Sequence, residues 1–171
     1  MAIDKKFYLQ DADILAPLLL GKILVRRLDN GQEIRCRIAE TECYLGEEDS
    51  ACHAHKGRTN RTDIMYSEGG VTYVYLCYGI HNLLNIVTGA ESSPQAVLIR
   101  GVEQASGPGR VTKFLQIDRS HNGISLTTGS DIWLEDDGYI PKYITTPRIG
   151  IDYAKDEDRN RLWRYLTTST V

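Results

Sequence analysis

Apolar residues along this chain recur in two rhythms, and the shorter one dominates. A helical rhythm is confined to residues 14–20, Ile-Leu-Ala-Pro-Leu-Leu-Leu, with Asp11 or Asp13 available as a cap and Gly21 as a stop. Pro17 is tolerable if Asp13 is the cap, because the missing N–H then falls in the first turn. Residues 22–28 read as a strand, Asp29-Asn30-Gly31 as a hairpin turn and residues 33–41 as its partner. In that partner Ile34, Cys36, Ile38, Glu40 and Glu42 share one parity, which predicts all five on one face. Three apolar residues followed by two carboxylates drive an acid toward the edge of the core, where a raised pKa suits proton abstraction. The plainer alternative is that Glu42 has left the sheet for water.

Further strands are predicted at 73–78, closed by Gly79, and at 83–87 and 96–100, which the turn-rich 89–94 separates. Gly107-Pro108-Gly109-Arg110 leads into a short helix near 111–117. Residues 132–134 and 139–140 flank Asp136-Asp137-Gly138 as a hairpin, and the remainder carries mixed signals. Residues 46–70 are polar and glycine-bearing, long for a structureless connection, and such loops are usually functional. There are no internal repeats and no linker. Hairpins around few helices predict an α+β fold, a single domain over 1–171 with a curved antiparallel sheet.

Composition changes this little. A chain of 171 residues buries a core without staples, and a net charge of −3 places any nucleic-acid binding on a local patch. No apolar run reaches membrane-span length, and the N-terminus is unlike a signal peptide. Cys36, Cys43, Cys52 and Cys77 form no CxxC pair, which fits free thiols in a reducing cytoplasm. Cys43, Cys52, His53 and His55 match no zinc spacing, so no metal is expected. The zinc-deaminase pattern, a Gly-x-Ser-x-Gly elbow, a Walker loop and a dinucleotide fingerprint are all absent.

Three clusters could carry chemistry beside Glu42. Tyr73, Tyr75 and Cys77 fall on one strand face, with Val74, Leu76 and Tyr78 on the other. Core packing explains most such tyrosines, but Tyr78 precedes Gly79 and can project from a strand tip as a wedge. Tyr44, Tyr75 and His53 could form a slot that stacks a planar ligand. Arg58 and Arg61, in Lys-Gly-Arg-Thr-Asn-Arg, suit phosphate contact or simply a solvated loop. Arg110 and Lys113 follow a Gly-Pro helix start that offers N–H groups to an anion.

Read together, these segments resemble the alkyladenine (3-methyladenine) DNA glycosylase family. The matching stretches are Ile38-Ala-Glu-Thr-Glu-Cys-Tyr-Leu-Gly46, Asp49-Ser-Ala-Cys-His53, Gly57-Arg-Thr-Asn-Arg61 and Met65. They continue with Thr72-Tyr-Val-Tyr-Leu-Cys-Tyr-Gly-Ile-His-Asn-Leu-Leu-Asn-Ile-Val87, Ala96-Val-Leu-Ile-Arg100, Gly107-Pro-Gly-Arg110 and Pro147-Arg-Ile-Gly-Ile151. The resemblance implies a monofunctional enzyme that flips an alkylated or deaminated purine from duplex DNA and hydrolyses its N-glycosidic bond, without a cofactor. It makes Glu42 the general base, with Arg100 beside it and the backbone near Ile149 approaching the water. Tyr78 becomes the wedge, Tyr44, His53 and Tyr75 hold the flipped base, and Asn85 crowds the exocyclic amino group of guanine. Arg58, Arg61, Arg110 and Lys113 are the phosphate-contact candidates, and no lysine nucleophile is implied.

The expected partner is double-stranded DNA carrying damaged purines, met by a monomer in the cytoplasm at the bacterial nucleoid, with the nucleus as the alternative. The chain departs from the family in a short segment between Val102 and Gly107, in Arg110 where lysine is common and in Asn60 where proline is common. With the acidic Glu47-Glu48-Asp49, these bear on DNA affinity. Two rivals remain: an inert damaged-DNA-binding domain of the same fold, and a glycoside hydrolase using Glu40 and Glu42 as paired carboxylates.

Overall fold

The computed structural model describes residues 1–127 and 129–168, and its centre is one antiparallel sheet. Its strands are β1 (Ile23–Arg27), β2 (Glu33–Tyr44), β3 (Thr72–Cys77), β4 (His81–Val87), β5 (Ala96–Val102), β6 (Ala105–Ser106), β7 (Ile132–Glu135), β8 (Tyr143–Thr146) and β9 (Arg164–Thr167). The helices are α1 (Ala12–Leu19), α2 (Pro108–Leu115) and α3 (Asp156–Arg159). The main strand order is β3-β4-β5-β2-β1-β7, with β6 on β5, β9 on β2 and β8 on β9. This is the expected α+β class with a curved antiparallel sheet.

α1 buries Leu15, Ala16 and Leu19 against β2 in the main apolar cluster. Its N-cap is Asp11, so Pro17 lies inside the helix and not in its first turn as the Asp13 reading required. The N–H that Pro17 lacks would have met the carbonyl of Asp13. That carbonyl instead accepts the Tyr165 hydroxyl at 3.5 Å.

β2 is longer than expected and does not keep one parity. Its pairing with β5 shifts register between Ile38 and Glu40 and again between Glu40 and Thr41. Before this irregularity Cys36 and Ile38 enter the main cluster; after it Cys43 does, and Thr41 donates to the carbonyl of Ala16 at 2.9 Å. Glu42 and Tyr44 therefore face the other side of the sheet. Bulges commonly re-aim side chains in this way beside functional sites. The five residues of one parity do not share one face, and Glu42 has not left the sheet.

Two other expectations change. Residues 136–140 do not form a hairpin: β7 pairs with β1, while Asp136 binds Lys22 and Asp137 binds Arg37 at 2.8 Å. Local alternation could not reveal these contacts, which span about 100 residues of sequence. Residues 46–70 are not featureless, and contain three 3₁₀ turns, Gly46–Glu48, His53–Lys56 and Asp63–Tyr66. They pack Cys52, Ala54, Met65 and Tyr66 against Tyr73, Val87 and Ala96 as a second core. The short segment after Val102 closes as a tight hairpin, Gly101 opposite Ser106 and Val102 opposite Ala105.

Candidate active site

Between this second core, the pocket face of β2–β5, the start of α2 and residues 149–153 lies a cavity of about 710 Å³. Aromatic and apolar side chains form most of it, with a few convergent polar groups, the usual make-up of a small-molecule or base pocket. Glu42, Tyr44, His53, Tyr75, Asn85, Arg100, Arg61, Arg110 and Tyr78 all line it. Arg58 and Lys113 do not.

Glu42 has no exposed surface, yet its two oxygens are held differently. Oε1 accepts the Tyr44 hydroxyl at 2.9 Å, and Oε2 accepts the backbone N–H of Ile149 at 2.7 Å. Arg100 Nη1 stands 3.8 Å from Oε1. Burial pushes the Glu42 carboxyl above its ordinary value, while the Arg100 charge and the two donors pull it back. Each oxygen of a carboxylate has two lone-pair directions, so acceptor capacity remains for a third donor such as water.

Arg100 is not principally the partner of Glu42. Its Nε donates to Glu40 at 3.0 Å, and Arg164 on β9 donates to the same Glu40 oxygen at 2.6 Å. A carboxylate held by two guanidiniums is poorly placed to act as the second acid of a glycosidase, which removes the geometric appeal of a Glu40–Glu42 pair.

Of the expected slot, His53 and Tyr75 are in ring contact and Tyr73 joins them, while Tyr44 lines the same cavity with its hydroxyl on Glu42. Tyr73 and Tyr75 lie 5.3 Å apart between ring centroids, and His53 meets Tyr75 edge-on at 4.5 Å. His53 Nδ1 is 3.0 Å from the Tyr73 hydroxyl. Burial and the nearby Arg61 push the His53 pKa down to about 4, so the ring is neutral at physiological pH. Asn85 is buried and donates to the carbonyl of Tyr73 at 3.2 Å. Burial pushes the Cys52 thiol up to about 11, away from the range of a nucleophilic thiolate. Among the described residues no group of three or more His, Cys, Asp or Glu is disposed to hold a metal ion.

The depressed histidine carries a stability prediction. An unfolded His53 takes up its proton near pH 6.5 and the folded one near 4, so between these values the unfolded chain binds more protons. Stability contributed by the neutral ring is therefore lost as pH falls through that window. Urea unfolding at pH 7 and pH 4.5 should show a loss for the wild type that is smaller in His53→Gln by roughly 2–3 kcal/mol. Equal losses would mean that the ring is not held neutral.

At the mouth, Tyr78 is 89 % exposed and has φ +53°, followed by Gly79 at +68°. Left-handed backbone at a tyrosine is uncommon and is favoured only where a turn imposes it. The basic candidates are partly engaged. Arg58 donates to Asp63 at 2.7 Å and lies 5.0 Å over the Tyr66 ring, and Arg61 lies 5.1 Å over the Tyr75 ring. Arg110 and Lys113 are exposed on α2, with no ion pair among the described residues.

Residue-type reasoning passed over Arg148 and the part Asp49 plays. Both are fully buried, and Arg148 Nη1 and Nη2 bind Asp49 Oδ2 and Oδ1 at 2.7 and 3.0 Å. Asp49 belongs to the acidic run expected to bear on DNA affinity, yet its charge is matched inside the fold. Both residues stand in stretches that carried the resemblance, which was the one signal available for them.

Residues 6–106 and 102–170 match the family model described as methylpurine-DNA glycosylase. The chain is 46 % identical over 176 residues to a protein of Borreliella afzelii named "Putative 3-methyladenine DNA glycosylase", covering 95 % of this chain and 94 % of that one. A protein of Psychrobacter cryohalolentis with the same name is 47 % identical over 184 residues, covering 91 % and 86 %. One from Methanocella arvoryzae, again so named, is 40 % identical over 183 residues, covering 95 % and 90 %.

Proposed function

This chain belongs to the methylpurine-DNA glycosylase family, and from that premise we propose that it excises damaged purines from double-stranded DNA. The substrates of this reading are alkylated or deaminated purines such as 3-methyladenine, 7-methylguanine, hypoxanthine and ethenoadenine. The observation that carries it is Glu42: a buried carboxylate with both oxygens held, at the wall of an aromatic cavity whose mouth ends in an exposed tyrosine.

In this reading Tyr78 enters the helix and fills the space of the extruded nucleotide, which costs a few kcal/mol of unstacking. The base stacks in the slot of Tyr44, His53 and Tyr75, and Asn85 crowds the exocyclic amino group of guanine. Glu42 takes a proton from a water as its oxygen bonds to C1′. The C1′–N9 bond breaks with its electrons leaving on the purine, and an abasic sugar remains. Arg100 stabilises Glu42 in its ionised form. Arg110 and Lys113 meet phosphates, and Arg58 and Arg61 join them when they release Asp63 and the Tyr75 ring. One domain spanning the chain acts as a monomer without metal or cofactor, in the cytoplasm at the nucleoid.

The decisive experiment is single-turnover incubation with duplexes carrying one central hypoxanthine, ethenoadenine or methylated purine, followed by strand cleavage at abasic sites with heat and alkali. Lesion-dependent cleavage supports the enzyme. Lesion binding without base release would instead mark an inert damaged-DNA-binding domain. Within the enzyme, Tyr78→Ala should lower the equilibrium constant for flipping ethenoadenine by roughly 5- to 150-fold, the 1–3 kcal/mol of one stacked ring. Ethenoadenine fluorescence reads this directly, and because the side chain is exposed the melting temperature should not move. An unchanged flipping constant would remove Tyr78 from its role.

A further inference from the structure

Both oxygens of Glu42 are held by groups that one buried cation keeps in place. The Arg148 guanidinium lies 4.9 Å from the Tyr44 ring and 5.0 Å from the Trp163 ring. In its plane it donates to Asp49 through both terminal nitrogens, to the carbonyl of Cys43 at 2.9 Å and to that of Asp158 at 3.2 Å. Cys43 is the residue after Glu42, and Ile149 is the residue after Arg148. Arg148 thus fixes the ring whose hydroxyl reaches Oε1 and the backbone whose N–H reaches Oε2.

We propose that Arg148 is a positioning residue for Glu42, ordering the Tyr44 hydroxyl and the Ile149 N–H so that the carboxylate stays aimed into the cavity as an acceptor. The role rests on reading Glu42 as the general base. A lysine cannot replace it, because a point charge has neither the planar stacking surface nor the fixed fork of donors. The cation within ion-pair range of Glu42 is Arg100, and Glu40 already engages it at 3.0 Å. The other charged or titratable groups near the carboxylate are Tyr44, Tyr153 and Arg148 itself, with Arg164 behind Glu40. The Arg100 charge opposes burial most, and the two neutral donors come next; both of those donors depend on the clamp.

The test follows the Glu42 carboxyl by ¹³C NMR titration, its signal assigned by its loss in Glu42→Gln, together with the pH dependence of single-turnover hypoxanthine excision. Arg148→Lys should raise the Glu42 midpoint by about one pH unit, a tenfold gain in proton affinity. The acid limb of excision should move with it, and the plateau should fall on the order of 100-fold, as expected for a misplaced reacting group. Trp163→Leu loosens the same clamp without stranding a charge and should move both readouts the same way by less. If Arg148→Lys does not fold, Trp163→Leu decides. An unmoved Glu42 midpoint in a folded variant overturns the positioning role, since a purely structural defect would lower amplitude without shifting titration. A shifted midpoint in a protein whose wild type releases no base overturns the glycosylase reading, and with it the catalytic use of the clamp, while Arg148 still orients the carboxylate.

Discussion

Glu42→Gln should abolish base release, lowering the single-turnover rate by on the order of 10²–10⁴-fold, while lesion-DNA binding in a gel shift survives. Glutamine keeps the length and the Oε acceptor for the Ile149 N–H, so the wall of the cavity is preserved. What it loses is the ability to take a proton from water. The wild-type rate should fall as the medium is acidified through the Glu42 pKa, at a pH above that of an ordinary glutamate, because burial raises it. The stability effect has the opposite sense. A carboxyl whose pKa is raised on folding binds more protons folded than unfolded, so its ionisation at neutral pH weakens the fold. Glu42→Gln should therefore melt higher than the wild type at pH 7. An active site that costs stability is expected to be stabilised by disarming it. Retained excision in Glu42→Gln would remove the carboxylate from the chemistry.

Glu42 also marks how far residue patterns reached. Alternation along β2 placed an acid at the edge of an apolar run, and the acid is indeed at the cavity wall, but by a different route. Unbroken parity would have put Glu42 on the face that α1 covers. The irregularity around Glu40, where β5 presents Gly101, turns the strand over, and an added Cβ on Gly101 would come within 3.0 Å of the Glu40 Cβ. A register shift depends on two strands about 60 residues apart, so one strand's alternation cannot announce it. The same limit hid β8 and β9, whose four-residue runs gain meaning only by pairing with each other and with β2. By contrast Tyr78–Gly79 was legible because a turn is local, and Tyr73, Tyr75 and Cys77 because β3 alternates without a break. The arginines divide along the same line. The resemblance places Arg100 beside Glu42, but nothing in the residue pattern foretells that Glu40 holds its Nε and that Arg164 shares the same Glu40 oxygen.

The second large effect concerns the pair that residue types missed. Asp49→Asn should destabilise the protein by about 3–5 kcal/mol, because it leaves Arg148 buried with its charge unmatched. At this chain length that corresponds to a fall in melting temperature of roughly 10 °C. The amide can still accept from Leu45 N–H or Ala51 N–H, which now bond Asp49 at 3.0 and 3.1 Å, so the stranded charge and not the lost turn should dominate. The second substitution separates these causes. Asp49→Asn/Arg148→Met removes the unmatched charge and fills much of its volume, and should recover most of the lost stability, since buried pairs replaced by apolar groups are often neutral. Thermal melts of the wild type, the single variant and the double variant measure it, and a double variant no more stable than the single one would refute the electrostatic account. Base release should not recover with the fold. The methionine sulfur cannot hold the carbonyls of Cys43 and Asp158, so the segment bearing Ile149 is left without the anchor that aims its N–H at Glu42. A charge pair that can be exchanged for apolar packing at little cost in stability, but not in excision, is kept for the carboxylate it orients.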